Sequence, residues 1–443
     1  MSAPARSARR PSGIWLSFAL LALTACSGLR SEEGPAAAPF ALAMIPDTQN
    51  YVDYTHQQAE GFPLDASALF IAQMEWIAER AVTRGGDIAF VAAVGDVWQH
   101  QSKPIDEDHA ARGMRRVENP IFGGHFDPTP KVLTVEIPKA IEGYERIAAT
   151  GLPFGVAPGN HDYDAMWTLA AFPPNFEKPR SELAFRVEDI GMLHIGGLDN
   201  FRSAFGEDTD FFAGKTWYVD AFRGGANSAQ LFEAGGYRFL HFALEMHADD
   251  EVVAWVESVL ARFPGVPTIL STHDYLDPRG KRRANPIIDL ARADPEFHNS
   301  ADQLFEELIA PNDQIFLVLC GHVGGDGRLL STTALGRPVM QVLADYQFDP
   351  NGGNGWMQLI TLDPAKKSVA FNAFSPTYVA GTTSGTDHCK SSASNHAFTV
   401  DLDGHRTLLA GLTVRRFRQG QDSGAGAYSG TVDTYLGTGK DGT

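Results

Sequence analysis

The chain's apolar positions fall into short continuous runs separated by stretches of helical spacing. Phe40–Ile45 is apolar throughout and of strand length, closed by Pro46-Asp47-Thr48-Gln49. From Asp65 to Arg84 apolar residues recur at helical spacing (Leu69, Ile71, Met74, Trp76, Ile77, Val82) and stop before Gly85-Gly86. A second buried strand is predicted over Ile88–Val94, ending at Gly95-Asp96, and a second helix over Ile137–Ala149. The short run Pro153–Pro158 then leads into Gly159-Asn160-His161-Asp162. Strand–helix–strand–helix–strand predicts a parallel sheet with helices on its faces. Ligands of such sheets gather beyond the carboxyl ends of the strands, where Asp47, Asp96 and Asn160 all lie.

The middle of the chain changes period. Leu183–Val187, Met192–Leu198 and Tyr237–Leu244 read as short strands, with an aromatic, glycine-rich insertion from Phe201 to Gly236. Glu251–Phe263 is amphipathic and helical. Thr268–His273 and Gln314–His322 each read as a buried strand ending in a histidine. Val339–Ala344, Trp356–Leu362 and Val369–Phe374 follow and are expected to pair as a second sheet, with one more strand at Phe398–Leu402. The fold class expected is α/β, two packed sheets with helices outside. The tail, residues 405–443, reads either as disordered or as the truncated start of a β-sandwich module.

Composition narrows the partners. The 443 residues carry a formal net charge of −18, which argues against nucleic acid, since phosphate backbones select basic surfaces. A protein this acidic would need local positive charge to handle phosphate esters, and bound metal ions can supply it. At the N-terminus, Arg6, Arg9 and Arg10 precede the apolar run Ile14–Leu23, which is too short to favour a permanent membrane span. It ends in Leu23-Thr24-Ala25-Cys26, which resembles a bacterial lipobox. Residues 1–25 are then a signal peptide, Cys26 the lipidated first mature residue, residues 26–39 a tether, and the protein an exported one held to the membrane by a lipid anchor. The alternative is an ordinary small-residue cleavage site. Cys320 and Cys389 remain in the mature chain; a buried free thiol at Cys320 is expected, and a bridge between the two is the alternative.

The strand ends, collected, hold Asp47 and Gln49, Asp96, Asn160 and His161, His273, and His322. Carboxylate, amide oxygen and imidazole together suit Zn, Mn or Fe, and no cysteine joins them. In this order, Asp-x-Gln, Gly-Asp, Gly-Asn-His-Asp, a strand-end His and Gly-His resemble the calcineurin-like metallophosphoesterase superfamily, over roughly Phe40 to Leu402, the core of an expected domain at residues 40–404. The resemblance implies a two-sheet αββα sandwich, two divalent metal ions, and hydrolysis of a phosphate-ester substrate. It implies Asp96 as the bridging carboxylate, with Asn160, His273 and His322 completing one site and Asp47 belonging to the other. It also implies His161 as the acid or phosphate clamp, with Asp162 orienting it. Two cations about 3.5–4 Å apart would polarise the phosphoryl oxygens and activate a water.

Two positions depart from that pattern, both on the ion held by Asp47. Gln49 stands where the family usually has a histidine, and Gly324 replaces the second histidine of Gly-His-x-His. One well-formed site and one weak site are therefore expected, with Asp326 as a possible substitute ligand. Two readings follow: a metal-dependent phosphoesterase, or a catalytically impaired relative serving as a surface binding or scaffold protein. His100, His109 and His125 read as surface histidines or substrate-loop residues. Tyr51, Tyr163 and Tyr275 either line the pocket or pack against its loops. Arg328 and the Arg279, Lys281, Arg282, Arg283 cluster are phosphate contacts or a solvated surface.

Overall fold

A computed structural model describes residues 38–385 and 397–401, apart from 60, 63, 123, 125 and 367. Cys26, the leader, the tether, His125, Cys389 and the tail beyond 401 lie outside the described residues. In chain order the strands are β1 (Phe40–Ile45), β2 (Ile88–Ala93), β3 (Arg116–Val117), β4 (Phe154–Val156), β5 (Ala165–Leu169), β6 (Leu193–Gly196), β7 (Tyr218–Phe222) and β8 (Asn227–Ala234). They continue with β9 (Tyr237–Ala243), β10 (Thr268–Ser271), β11 (Ile315–Cys320), β12 (Gly325–Thr332), β13 (Pro338–Asp345), β14 (Met357–Asp363), β15 (Ser368–Phe374) and β16 (Ala397–Asp401).

They build three sheets in a mixed α/β fold. The six-stranded sheet runs β16-β15-β14-β1-β2-β4, the seven-stranded sheet β12-β13-β11-β10-β9-β8-β7, and the small sheet β3-β5-β6. β1, β2 and β4 are parallel, as the sequence pattern predicts, but β14 returns antiparallel to β1. The three late strands therefore do not form a sheet of their own. β13 pairs with β11 in the seven-stranded sheet, while β14 and β15 extend the first sheet. Leu183–Val187 is not a strand either. Asp189 accepts the Ala184 amide at 2.8 Å and pairs with Lys178 and Arg186, and this polar hub folds the segment into turns and a short helix at Val187–Ile190. β6 falls within the strand expected at Met192–Leu198, whereas β3 and β5, and with them the small sheet, lie outside the expected pattern, β3 being too short to show a period.

The alternation of apolar residues sorts into layers. On one face of the first sheet, Ala43, Val91 and Phe154 pack with Phe70, Met74 and Ile77 of the helix Ser67–Glu79 and with Tyr144 and Ile147 of the helix Ile137–Ala148. Those helices approach so closely at Gly143 that a Cβ there would lie 2.3 Å from the Phe70 ring. On the other face Leu42, Met44, Phe90 and Ala92 meet Phe239, Phe316 and Val342 of the seven-stranded sheet. That sheet's outer face packs Leu240, Phe242 and Val318 against Val252, Val256 and Val259 of the helix Asp250–Arg262. Cys320 is a buried free thiol at the end of β11. Among the described residues no helix is long and apolar enough to cross a membrane.

Candidate metal centre

The carboxyl ends of β1, β2, β4, β10, β11 and β13 open on one cleft. The turn after β2 is shaped by glycine and by a left-handed aspartate, with φ 106° at Gly95 and 53° at Asp96; His322 is also left-handed, at φ 75°. Non-glycine residues hold such angles only where the surroundings over-determine them, and these concentrate at functional sites. Gly159 packs against that turn: a Cβ on it would sit 2.3 Å from Asp96 Oδ1 and 2.4 Å from the Asp96 nitrogen. The glycine of Gly159-Asn160-His161-Asp162 is thus demanded by close approach.

Three donors converge on a fourth, His273 Nε2. It lies 3.2 Å from Asp96 Oδ1, 3.2 Å from Asn160 Oδ1 and 3.3 Å from His322 Nδ1. His273 Nδ1 donates to the Val94 carbonyl at 2.7 Å, which fixes the tautomer and turns Nε2 inward. A tetrahedral ion with bonds of about 2.0–2.1 Å has donor–donor edges of about 3.3 Å, so the residues fit such an ion. Asp96, His273 and Asn160 are buried and His322 is nearly so.

Charge points the same way. Burial lowers the basicity of His273, yet the Asp96 and Asp47 carboxylates outweigh it and hold the ring up at about 10. Burial brings His322 down to about 4, against the pull of Asp274. Burial also raises Asp96, but the imidazoles around it hold its carboxyl well below the usual range. His273 is thereby held charged beside the Asp96 carboxylate, and a divalent ion can take the place of that proton.

His161 and Asp162 have different duties. The His161 amide donates to Asp96 Oδ1 at 2.9 Å, and its ring Nδ1 is 2.5 Å from the Gln99 carbonyl, leaving Nε2 for the cleft. Asp162, expected to orient His161, instead accepts the amides of Val97 (2.8 Å), Trp98 (3.3 Å) and Gly159 (2.8 Å). It ties the Asp96 turn to the Asn160 turn.

Across the cage lie Asp47 and Gln49. Asp47 accepts the His322 amide at 3.0 Å and is 4.0 Å from His273 Nε2. Gln49 Nε2 donates to Asp96 Oδ2 at 3.2 Å and contacts Gln347 Oε1. Gln347 Nε2 reaches Asp47 Oδ2 at 3.3 Å and Asp345 Oδ2 at 3.0 Å. Asp345 and Gln347 are absent from the sequence reading, although Asp345-Tyr346-Gln347 repeats the spacing of Asp47-Thr48-Gln49 after an apolar strand. That repeat was the available signal. Burial, then the Asp345 charge, pushes Asp47 well above the carboxylate range, so this half of the site is rich in carboxylate and amide and poor in imidazole. Asp326 accepts instead from Tyr346 Oη at 2.6 Å and from Gln358 at 3.1 Å.

The cleft holds about 410 Å³ and is lined by Asp96, Asn160, His161 and His322 with His56, Phe126, Met166, Leu193, Asn285, Ile287 and Gln347, and by no lysine or arginine among the described residues. Two members of the basic cluster are engaged elsewhere: Arg282 pairs with Asp302 at 2.8 Å and lies over the Phe305 ring, and Arg283 pairs with Asp277 at 3.3 Å. Tyr51, Tyr163 and Tyr275 are buried in packing, with Tyr51 Oη accepting the Gly355 amide and Tyr275 Oη donating to Gln341. His100 is bonded to Glu136 at 2.5 Å rather than lying free on the surface.

No protein-family model matches the chain. The chain is 24% identical over 356 residues to the uncharacterized protein YvnB of Bacillus subtilis, covering 79% of this chain and 21% of that protein, so it spans about one fifth of the relative's length. Among solved structures it is similar to a dimetal phosphatase from Danio rerio (TM-score 0.38, 11% identity, 75% of this chain and 95% of that one). It is also similar to GAP50, the anchor in the inner membrane complex of Plasmodium (TM-score 0.34, 9% identity, 87% of this chain and 100% of that one).

Proposed function

We propose that this protein is a metal-dependent phosphoric ester hydrolase of the calcineurin-like metallophosphoesterase type, built on a two-sheet αββα sandwich. The observation that carries the reading is the cage around His273 Nε2, three donors of three chemical types at 3.2–3.3 Å from one nitrogen. Asp96, Asn160, His273 and His322 would hold one divalent ion, with Zn, Mn and Fe suited to the donor set. Asp47 and Asp345, with Gln49 and Gln347, would hold a weaker one, the two ions sharing Asp96. When bound, the ions supply Lewis-acid polarisation of the ester and acidify a water.

The chain's own groups do the rest. His161 presents Nε2 to the cleft while Gln99 holds Nδ1, so its protonated form can donate to the leaving oxygen or clamp a phosphoryl oxygen. With no lysine or arginine lining the cleft among the described residues, charge complementarity to phosphate rests on the cations and on His161. The test is metal content by elemental analysis together with hydrolysis of an aryl phosphate and an aryl phosphodiester, for wild type and Asp96→Asn. Bound metal with activity lost in the variant is expected; absence of metal, or activity untouched by the substitution, would overturn the proposal.

One observation favours a second reading, a catalytically impaired relative acting as a surface scaffold. Gln49 turns its amide nitrogen, not its oxygen, toward Asp96 and is linked to Gln347, so hydrogen bonds occupy the amide that the weaker site would use as a ligand. Tight binding of one ion without turnover on either ester would select it. For location, we propose export and lipid anchoring through Cys26, which Cys26→Ala tests: wild type partitions with membranes and the variant does not.

A further inference from the structure

On the far side of the small sheet lies a second convergence of ligand groups. His109, His194, Asp294 and His298 each offer one atom, and these atoms all lie within 4.8 Å of one another. They come from three separate segments. His109 sits on the short helix Glu107–Ala111, His194 on β6, Asp294 just past the helix Leu290–Ala293, and His298 in the loop that follows. Side chains alternate along β6, so Leu193 lines the substrate cleft while His194 points to the opposite face, beside Trp167.

Each imidazole is oriented by a separate acceptor. His109 Nδ1 lies 2.7 Å from Asp106 Oδ2, the arrangement in which a carboxylate fixes a ligating histidine. Gly196 leaves room for that pair: a Cβ there would fall 1.9 Å from Asp106 Oδ2 and 2.6 Å from His109 Nδ1. His194 Nδ1 donates to the Ile195 carbonyl at 2.7 Å, which leaves Nε2 fully buried, without a hydrogen-bond partner and 4.0 Å from Asp294 Oδ2. His298 bonds to the His247 carbonyl. A buried imidazole nitrogen carrying an unused lone pair, aimed at two more imidazoles and a carboxylate, has no stabilising role in a merely packed cluster.

We propose that His109, His194, Asp294 and His298 form a separate structural site for a zinc-class divalent ion. Three imidazoles and one carboxylate give the four-coordinate, closed donor set of such a site, and side-chain rotations that draw separations of up to 4.8 Å in to about 3.3 Å bring the donors to tetrahedral spacing. Arg112 is the competitor, with Nη2 at 2.6 and 2.5 Å from the two Asp294 oxygens. A guanidinium can stay on one carboxylate oxygen while the other ligates, which makes Arg112 an outer partner of the site. The site ties the helix at 107–111 and the 290–298 segment to the back of the small sheet. The loop entering that segment carries Asn285 and Ile287, which line the cleft, and the Leu193 amide donates to the Ile287 carbonyl at 2.6 Å. The ion would therefore brace one cleft wall from behind.

The test uses the full chain with Asp96→Asn and His273→Asn, which empties the cleft centre, so failure here is separate from failure of the phosphoesterase reading. The protein is loaded with zinc or cobalt(II), gel-filtered, and assayed for metal content and for the visible spectrum of tetrahedral cobalt. About one retained equivalent and that spectrum are expected, both lost on adding His194→Asn or His298→Asn. His298 is a half-buried loop residue, and far-UV circular dichroism of its variant controls for folding. No retained equivalent, or an equivalent indifferent to both substitutions in folded protein, overturns the proposal.

Discussion

Asp162 Oδ1 accepts the Val97 amide at 2.8 Å, so the carboxylate following the cleft histidine in sequence serves the neighbouring turn and not that histidine. The same side chain holds the Trp98 and Gly159 amides. Replacing it by alanine leaves three inward-facing N–H groups without that acceptor, in the turns that position Asp96 and Asn160. Asp162→Ala is expected to lower stability by on the order of 3 kcal/mol in denaturant unfolding. Asp162→Asn keeps an acceptor for Val97 but sets an amide nitrogen or a weakened acceptor against the remaining donors, so a smaller loss is expected. A loss near zero in both would remove Asp162 from the framework.

The two roles open to His161 separate by leaving group. As a proton donor it matters when the departing alkoxide is a strong base and little when it is nitrophenolate. His161→Gln is expected to cost roughly 10²–10⁴-fold in kcat on an alkyl phosphate and about tenfold or less on the nitrophenyl ester. Equal losses on the two substrates assign the ring to clamping phosphate instead.

How much of this could be read from the chain follows from how each feature is encoded. Asp47, Asp96, Asn160, His273 and His322 were legible because each ends a continuous apolar run, and parallel strands bring such ends together. The pairing of β14 with β1 was not, because apolar runs give strand identity and say nothing of which neighbour a strand returns to. Asp345 and Gln347 left only the repeated Asp-x-Gln spacing as a signal, and placing them at the site took the topology that sets β13 beside β11. His109, read as a surface or substrate-loop histidine, meets His194 of β6 and residues 294 and 298, nearly two hundred positions away. Ligand sets assembled from irregular segments leave no period.

The Gly324 position offers a direct measure of the weaker half-site. A Cβ on Gly324 would meet the Phe348 ring at 2.6 Å, but that ring is 76% exposed and can swing away. Gly324→His combined with Phe348→Ala is expected to tighten the second ion by at least about tenfold, through an added imidazole. Isothermal titration with manganese, comparing the double variant with Phe348→Ala alone, reads the difference. Unchanged affinity would mean that residue 324 does not face the Asp47 side of the centre.

Acid sensitivity has an identifiable source away from the metal ligands. His241, on β9, is fully buried against β4, donating to Gln230 at 2.7 Å and paired with Ser271 at 2.8 Å. Gly155 leaves space for it, since a Cβ there would lie 2.7 Å from the ring. Burial lowers the folded-state value to about 3, so between the unfolded value near 6.5 and about 3 the unfolded chain binds the extra proton. Stability is therefore complete above about pH 6.5 and falls as pH drops through that window. The slope from this one group approaches about 1.4 kcal/mol per pH unit. His241→Gln, with no proton to take up, is expected to start lower at neutral pH through lost packing yet decline less steeply between pH 6 and pH 4. Urea unfolding of both proteins in chelator, which removes the contribution of metal release, makes the comparison. Parallel curves would place the acid lability in another group, because only a residue titrating in the unfolded state alone gives a difference in slope.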